Sequence, residues 1–290
     1  MPTIDLNSQF GHEPITDVSG PWAVAVVIRS GILPFRRRFL VLAFGIVLLG
    51  PRAACPDEKA TAADVIRPTV QLRNGTNRGS GTILASVPDE TLILTAAHVI
   101  HNASALQVEI HRFNLGPSKT SLSEGGGWPR LVPATVVAAD PAADVAVVRI
   151  TGMVALPYVA RFDLGADEPA PGEVLSSVGI DRTLFLTRWR TTVEGTALVD
   201  IKRGGGPRRF IVTTRYPEHG RSGGGLYRGD GAVVGVCVGQ LNLHKGQPKV
   251  GLFASVESIR RLLREHGLEG LMRPTPPGAS PAPQKKKARS

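Results

Sequence analysis

Between about residues 68 and 255 the apolar positions come in short runs rich in Val, Ile, Leu and Thr, separated by Gly, Pro, Asp and Asn. Runs of this length bounded by turn residues predict β-strands, because branched side chains pack well on a pleated surface and turn residues end each run. The predicted strands cover 69–73, 81–87, 91–95, 106–111, 134–139, 145–150, 173–178, 191–199, 210–214, 232–238 and 250–254. So many short strands and so few helical patterns imply an all-β sandwich or barrel architecture. Helical periodicity is confined mainly to 256–266. There Ser255 can cap, Glu257 lies in the first turn, Val256, Ile259, Leu262 and Leu263 form one stripe, and Gly267 follows the end. No fixed-period repeat is present.

Composition supports this picture and narrows it. The chain has 290 residues, 42% hydrophobic and 20% charged, with 33 glycines and 23 prolines, which is globular and turn-rich. Its two cysteines, Cys55 and Cys237, rule out a disulfide framework, and neither has zinc-site spacing to another Cys or to His, so no metal is expected. The net charge of +10 suggests nucleic acid until it is located. Residues 1–55 carry five arginines against three acids, and 273–290 carry five basic residues and no acid, leaving +3 for the middle. The basicity belongs mainly to the ends, and no nucleic-acid partner is expected.

Those ends read as segments outside the folded domain. Arg36, Arg37 and Arg38 precede an uncharged apolar run over 39–50, followed by Ala53, Ala54 and Cys55, the pattern of an export signal. The run is shorter than the roughly 20 residues that span a bilayer, so a cleaved leader over 1–55 is expected, with a membrane anchor through this segment, or lipidation at Cys55, as alternatives. Residues 273–290 combine prolines with a lysine run and predict a disordered tail, which leaves 56–272 for the domain. The protein is thus expected to be exported: periplasmic, at the cell surface, or secreted.

Three segments carry chemistry, in the order His, Asp, Ser: Thr95-Ala96-Ala97-His98-Val99 after a predicted strand, Asp144 at the start of Val145-Ala146-Val147-Val148, and Gly220-Arg221-Ser222-Gly223-Gly224-Gly225. A serine hydroxyl is a weak nucleophile at neutral pH. It needs an imidazole to take its proton, and the imidazole needs a carboxylate to fix its tautomer and stabilise its cation. The glycines around Ser222 let backbone N–H groups converge on one point, with Gly220 and Ser222 as the natural oxyanion donors.

With these segments, and with Gly79-Ser80-Gly81-Thr82-Ile83 ahead of the histidine, the chain resembles chymotrypsin-fold serine proteases, in particular the trypsin-like and HtrA-like branch, over about residues 66–267. The resemblance implies two six-stranded antiparallel β-barrels with a closing C-terminal helix. It implies His98 as general base, Asp144 as orienting acid, Ser222 as nucleophile, polypeptide substrates and no cofactor. By spacing from Ser222, Tyr216 falls at the base of the first specificity pocket, and Val238, Gly239 and Gln240 on the strand that pairs with substrate. No acid stands where Arg or Lys would be selected, so a neutral or apolar P1 residue is expected. The alternative for Tyr216 is packing inside the second barrel.

Several features depart from the family pattern. Arg221 replaces the usual Asp or Asn before the serine, and no Ile-Val-Gly-Gly-type activation site is present, so activity is expected without amino-terminal cleavage other than signal removal. Gly225 stands where proline is common, which predicts a slightly looser loop. His219 adjoins the serine loop and is a candidate substrate contact. About 20 residues follow the closing helix, so no PDZ domain is expected. Two rival readings remain: an inactive protease-fold binding protein, and an esterase. Gly220-x-Ser222-x-Gly224 also matches a nucleophile elbow, but that elbow needs a strand, turn and helix, with the acid and His after the serine. The oligomeric state is not specified by the sequence.

Overall fold

The structure, a computed structural model, describes residues 27–28, 61–103, 105–115, 129–201, 205–241 and 248–271; Cys55, the 39–50 run and the 273–290 tail lie outside these residues. After a two-residue strand β1 (Val27–Ile28) and a short helix α1 (Ala62–Ile66), six strands form the first barrel. They are β2 (Thr69–Asn74), β3 (Asn77–Val87), β4 (Glu90–Thr95), β5 (Leu106–Ile110), β6 (Arg130–Asp140) and β7 (Val145–Thr151), closed in the order β2-β3-β4-β7-β6-β5 with every pair antiparallel. A one-turn helix α2 (Arg112–Leu115) follows β5.

Six further strands, β8 (Val174–Asp181), β9 (Phe185–Asp200), β10 (Arg208–Thr213), β11 (Gly225–Tyr227), β12 (Val233–Leu241) and β13 (Val250–Ser255), make the second sheet. Its order is β9-β10-β13-β12-β11-β8, with β1 on the outer side of β9. The length of β9 lets residues 185–192 pair with β8 and 193–199 with β10, so the pairings run from β8 round to β8 again. Helix α3 (Val256–Glu265) follows β13 directly. The Ser255 hydroxyl accepts from Ser258 N, and Val256, Ile259, Leu262 and Leu263 are buried. This apolar stripe packs on strands of both barrels, so the helix ties them together.

Burial follows strand position. In β4 the residues Thr91 to Thr95 are all buried, whereas β6 alternates exposed and half-buried positions over most of its length. In β9, Trp189, Thr191 and Val193 point inward while Arg188, Arg190 and Glu194 point out, the period of two expected of a strand with one wet face.

The predicted all-β architecture and closing helix are present, with boundary differences. Strand β9 begins six residues before the predicted start, and β8 runs three residues further. Strand β11 and helix α1 were not expected. The three residues of β11 include Gly225, and only their partners on β12 and β8 make them a strand. Gly225, expected to loosen the serine loop, is buried and paired with Val236.

Candidate active site

The β4–β7 register pairs Thr95 with Ala146. The chain leaving β4 and the chain entering β7 therefore run side by side, which places His98, on the 3-10 turn Ala97–Ile100, against Asp144. Asp144 Oδ2 lies 2.6 Å from His98 Nδ1, and Oδ1 accepts the His98 backbone N–H at 2.8 Å. Both carboxylate oxygens thus grip one residue. Because the carboxylate is an acceptor, Nδ1 is the donor of this bond, and in the neutral imidazole Nε2 then presents a lone pair.

Asp144 is buried and has φ 52°, a left-handed conformation that Asp tolerates better than most residues. The turn before it is shaped by Asp140, whose Oδ1 accepts from Ala142 N and Ala143 N, while Oδ2 receives Arg261 of α3 at 2.7 Å and Arg208 of β10 at 3.5 Å. Burial raises the Asp140 pKa. The Ala143 N–H, the Arg261 hydrogen bond and the charges of Arg208 and Arg261 outweigh this and hold it below its ordinary 3.8.

Ser222 comes from the second barrel, on the loop between Tyr216 and β11. Its hydroxyl donates to the Val238 carbonyl at 3.2 Å, and its backbone carbonyl accepts from Ser80 N at 2.7 Å. A Cβ built on Gly79 would stand 2.5 Å from the Val99 side chain and 3.0 Å from the Ser222 carbonyl. The residue after His98 and the serine loop therefore meet at one point. Among the described residues no Ser222–His98 hydrogen bond is present. Such nucleophile–base contacts commonly form or tighten only when substrate is bound.

The peptide units around Ser222 are each tied by their carbonyls. His219 O accepts from Arg182 N at 2.6 Å, Gly220 O from the Ser80 hydroxyl at 2.9 Å, and Arg221 O from Gly224 N at 2.8 Å. In a trans peptide the N–H points opposite to the carbonyl. The N–H groups of Gly220 and Ser222 are thereby turned away from these ties, and neither donates to another described residue. Gly220 has φ +91°, and a Cβ there would stand 2.8 Å from both Ile180 O and Thr183 N, so no other residue fits.

Two residues missed at the sequence level organise this loop. Ser80 of β3 contributes its N–H to Ser222 O and its hydroxyl to Gly220 O, and the same hydroxyl accepts from Ile180 N at 2.8 Å. Its signal was the Gly79-Ser80-Gly81 motif, which carried no role for the hydroxyl. Asp181, at the end of β8, makes a two-pronged pair with Arg221, 2.7 Å from Nε to Oδ1 and 2.7 Å from Nη2 to Oδ2. An acid ending an apolar strand gives no sign of such a partner.

Of the predicted substrate residues, Tyr216 is 45% exposed and so is not packed inside the second barrel. His219 is exposed beside the serine loop. Strand β11 stops pairing with β12 at Val236, and Gly223 N takes the Cys237 carbonyl. From the bulge at Val238 onward, among the described strands, only β13 pairs with β12, through Gly239 and Gln240. Val238, whose carbonyl the Ser222 hydroxyl reaches, is thus followed by Gly239 and Gln240 on a stretch whose partner among the described strands is β13. No three His, Cys, Asp or Glu side chains gather into a metal-holding group among the described residues. No described helix is long and apolar enough to cross a membrane.

Comparison with known proteins gives a consistent result. The profile of the trypsin-like peptidase domain matches residues 79–236. Serine protease HTRA1 of Xenopus laevis is 32% identical over 195 residues, covering 64% of this chain and 36% of that protein. Protease Do-like 14 of Arabidopsis thaliana is 28% identical over 195 residues, covering 66% of this chain and 41% of that protein. The chain therefore spans well under half the length of these relatives. Among solved structures, the inactive form of the Rv3671c protease superposes with a TM-score of 0.53 at 20% identity, covering 71% of this chain and 91% of that one, a likeness of fold.

Proposed function

Since this chain belongs to the trypsin-like peptidase family, we propose that it is a serine endopeptidase in which Ser222 attacks the peptide carbonyl, His98 moves the proton and Asp144 orients His98. The observation that carries this reading is the double grip of Asp144 on the backbone and ring of His98. It leaves Nε2 as an acceptor aimed away from the acid, which is what a general base requires.

The chemistry follows from the groups present. Ser222 Oγ leaves the Val238 carbonyl, gives its proton to His98 Nε2 and bonds to the scissile carbon. The Asp144 carboxylate stabilises the imidazolium, and the carbonyl oxygen gains negative charge. The N–H groups of Gly220 and Ser222 receive that charge, already oriented by their tied carbonyls, so little reorganisation is needed as the transition state forms. The imidazolium then protonates the leaving amine, and an acyl-serine remains. Water repeats the sequence, giving its proton to His98 and releasing the acid and Ser222. Polypeptide substrate adds as a strand along Val238, Gly239 and Gln240, and its P1 side chain lies toward Tyr216. The Arg36–Arg38 cluster ahead of the apolar run supports an exported protein.

The test compares fluorophosphonate labelling of the purified protein with its Ser222→Ala variant, then digestion of an unfolded protein and of an ester. The expected result is labelling lost in the variant and peptide bonds cut. Substituting Ser222 or His98 by Ala lowers the rate by on the order of 10⁴ to 10⁶. Ester-only turnover would favour an esterase, and a folded wild type that takes no label would favour a binding protein.

A further inference from the structure

Arg221 is 0% exposed although it carries a full charge. A buried guanidinium is tolerated only with partners that satisfy it, and here four of its N–H groups are used. Two go to Asp181, one to the Ser177 hydroxyl at 3.1 Å and one to the Thr187 hydroxyl, which itself donates to Asp181 at 2.5 Å. The guanidinium also lies 4.6 Å from the Trp189 ring centroid, and Arg215 stands 4.7 Å from the same ring. Gly179 of β8 leaves room for the stem, since a Cβ there would meet Arg221 Cγ at 2.8 Å.

We propose that the Arg221–Asp181 pair is the positioning device that holds the Gly220 and Ser222 N–H groups in their donor orientation, without any contribution from a chain terminus. This rests on the endopeptidase reading above. Arg221 stands between the two donors, so fixing its side chain fixes the backbone on either side. Its partner ends β8, and the next residue in the same turn, Arg182, gives its N–H to the His219 carbonyl. One hairpin thus grips the loop twice, through a side-chain ion pair at Arg221 and through a backbone bond at the His219–Gly220 peptide. Trp189 extends the grip toward the specificity site, because Arg215 adjoins Tyr216. Both members of the pair are internal residues, so the loop is formed whatever amino acid begins the chain.

The experiment measures kcat and KM per titrated active site, and affinity for a peptide boronate and for a product peptide, in the wild type, Asp181→Asn, and Arg221→Gln/Asp181→Asn. The single variant leaves a buried charge without its partner and risks unfolding. The double variant removes both charges and keeps the measurement open. A positioning role predicts that kcat in the folded variants falls by on the order of 10²-fold, as when an oxyanion donor is lost. Boronate affinity should weaken in parallel, with KM and product affinity changed less than about threefold. A role in stability alone would lower the number of titratable sites and leave kcat per site intact. A folded double variant with wild-type kcat and boronate affinity overturns the proposal, as does a wild type whose turnover appears only after a new amino terminus is cut. A folded wild type that takes no fluorophosphonate label overturns the endopeptidase reading, and this inference with it.

Discussion

At Gly220 a methyl group would stand 2.8 Å from the Ile180 carbonyl oxygen and from Thr183 N, on a backbone with φ +91°. Gly220→Ala therefore forces the peptide to turn, and the N–H it presents turns with it. Turnover per titrated site is expected to drop by on the order of 10² to 10³, together with a lower melting temperature, because alanine is strained on this left-handed backbone; a variant with wild-type kcat per site would remove Gly220 from the donor role. Cys237 is a second residue whose environment decides its chemistry. It is fully buried, and burial pushes its thiol pKa up to about 12 despite the opposing charge of Arg221. The thiolate is the reactive species, so Cys237 should resist iodoacetamide in the native protein and react once unfolded. Peptide mapping by mass spectrometry reads this directly, and rapid native alkylation at Cys237 would contradict the buried placement.

Elements carry a different kind of information. Helix α3 was legible from its capping serine and apolar stripe, because local periodicity and the cap point to the same residues. What it does for the site was not. Arg261 reaches across to Asp140, whose other oxygen shapes the turn that presents Asp144. The folded-state pKa of Asp140 lies below its ordinary 3.8, so its charged form is favoured by folding. That contribution is present above the unfolded pKa and is lost as pH falls through the depressed folded value. The urea midpoint of Asp140→Asn should therefore lie below that of the wild type at pH 7, and the gap should narrow as the pH drops below 3.8. A gap that stays constant to about pH 2 would show that charge is not the source.

The described residues form two barrels, each of which supplies half of the proposed site. His98 and Asp144 come from the first and the Ser222 loop from the second, and Ser80 crosses between them with three hydrogen bonds. Removing the Ser80 hydroxyl leaves the Gly220 carbonyl and the Ile180 N–H without their partner in a buried place, at a cost of about 1–3 kcal/mol for each group left unsatisfied. Ser80→Ala should lower both the denaturation midpoint and kcat, whereas Ser86→Ala, on the same strand far from the serine loop, should leave kcat unchanged. Equal kcat for Ser80→Ala and the wild type would mean that the loop holds its shape without the bridge.

The strand pattern, the closing helix and the His, Asp and Ser segments could all be read from the chain, because turn residues, apolar runs and small residues beside a reactive group are local features. Register was not readable. Only the pairing of Thr95 with Ala146 brings His98 to Asp144, and only the neighbours of β11 make a strand of three residues, a run too short to signal one by itself. Arg221 illustrates the same division. In the sequence it was a departure that excluded one activation device; in the fold it is a buried cation with a carboxylate partner 40 positions away. Long-range pairing and burial decide what such a charge does, and both are properties of the assembled sheets rather than of any segment within them.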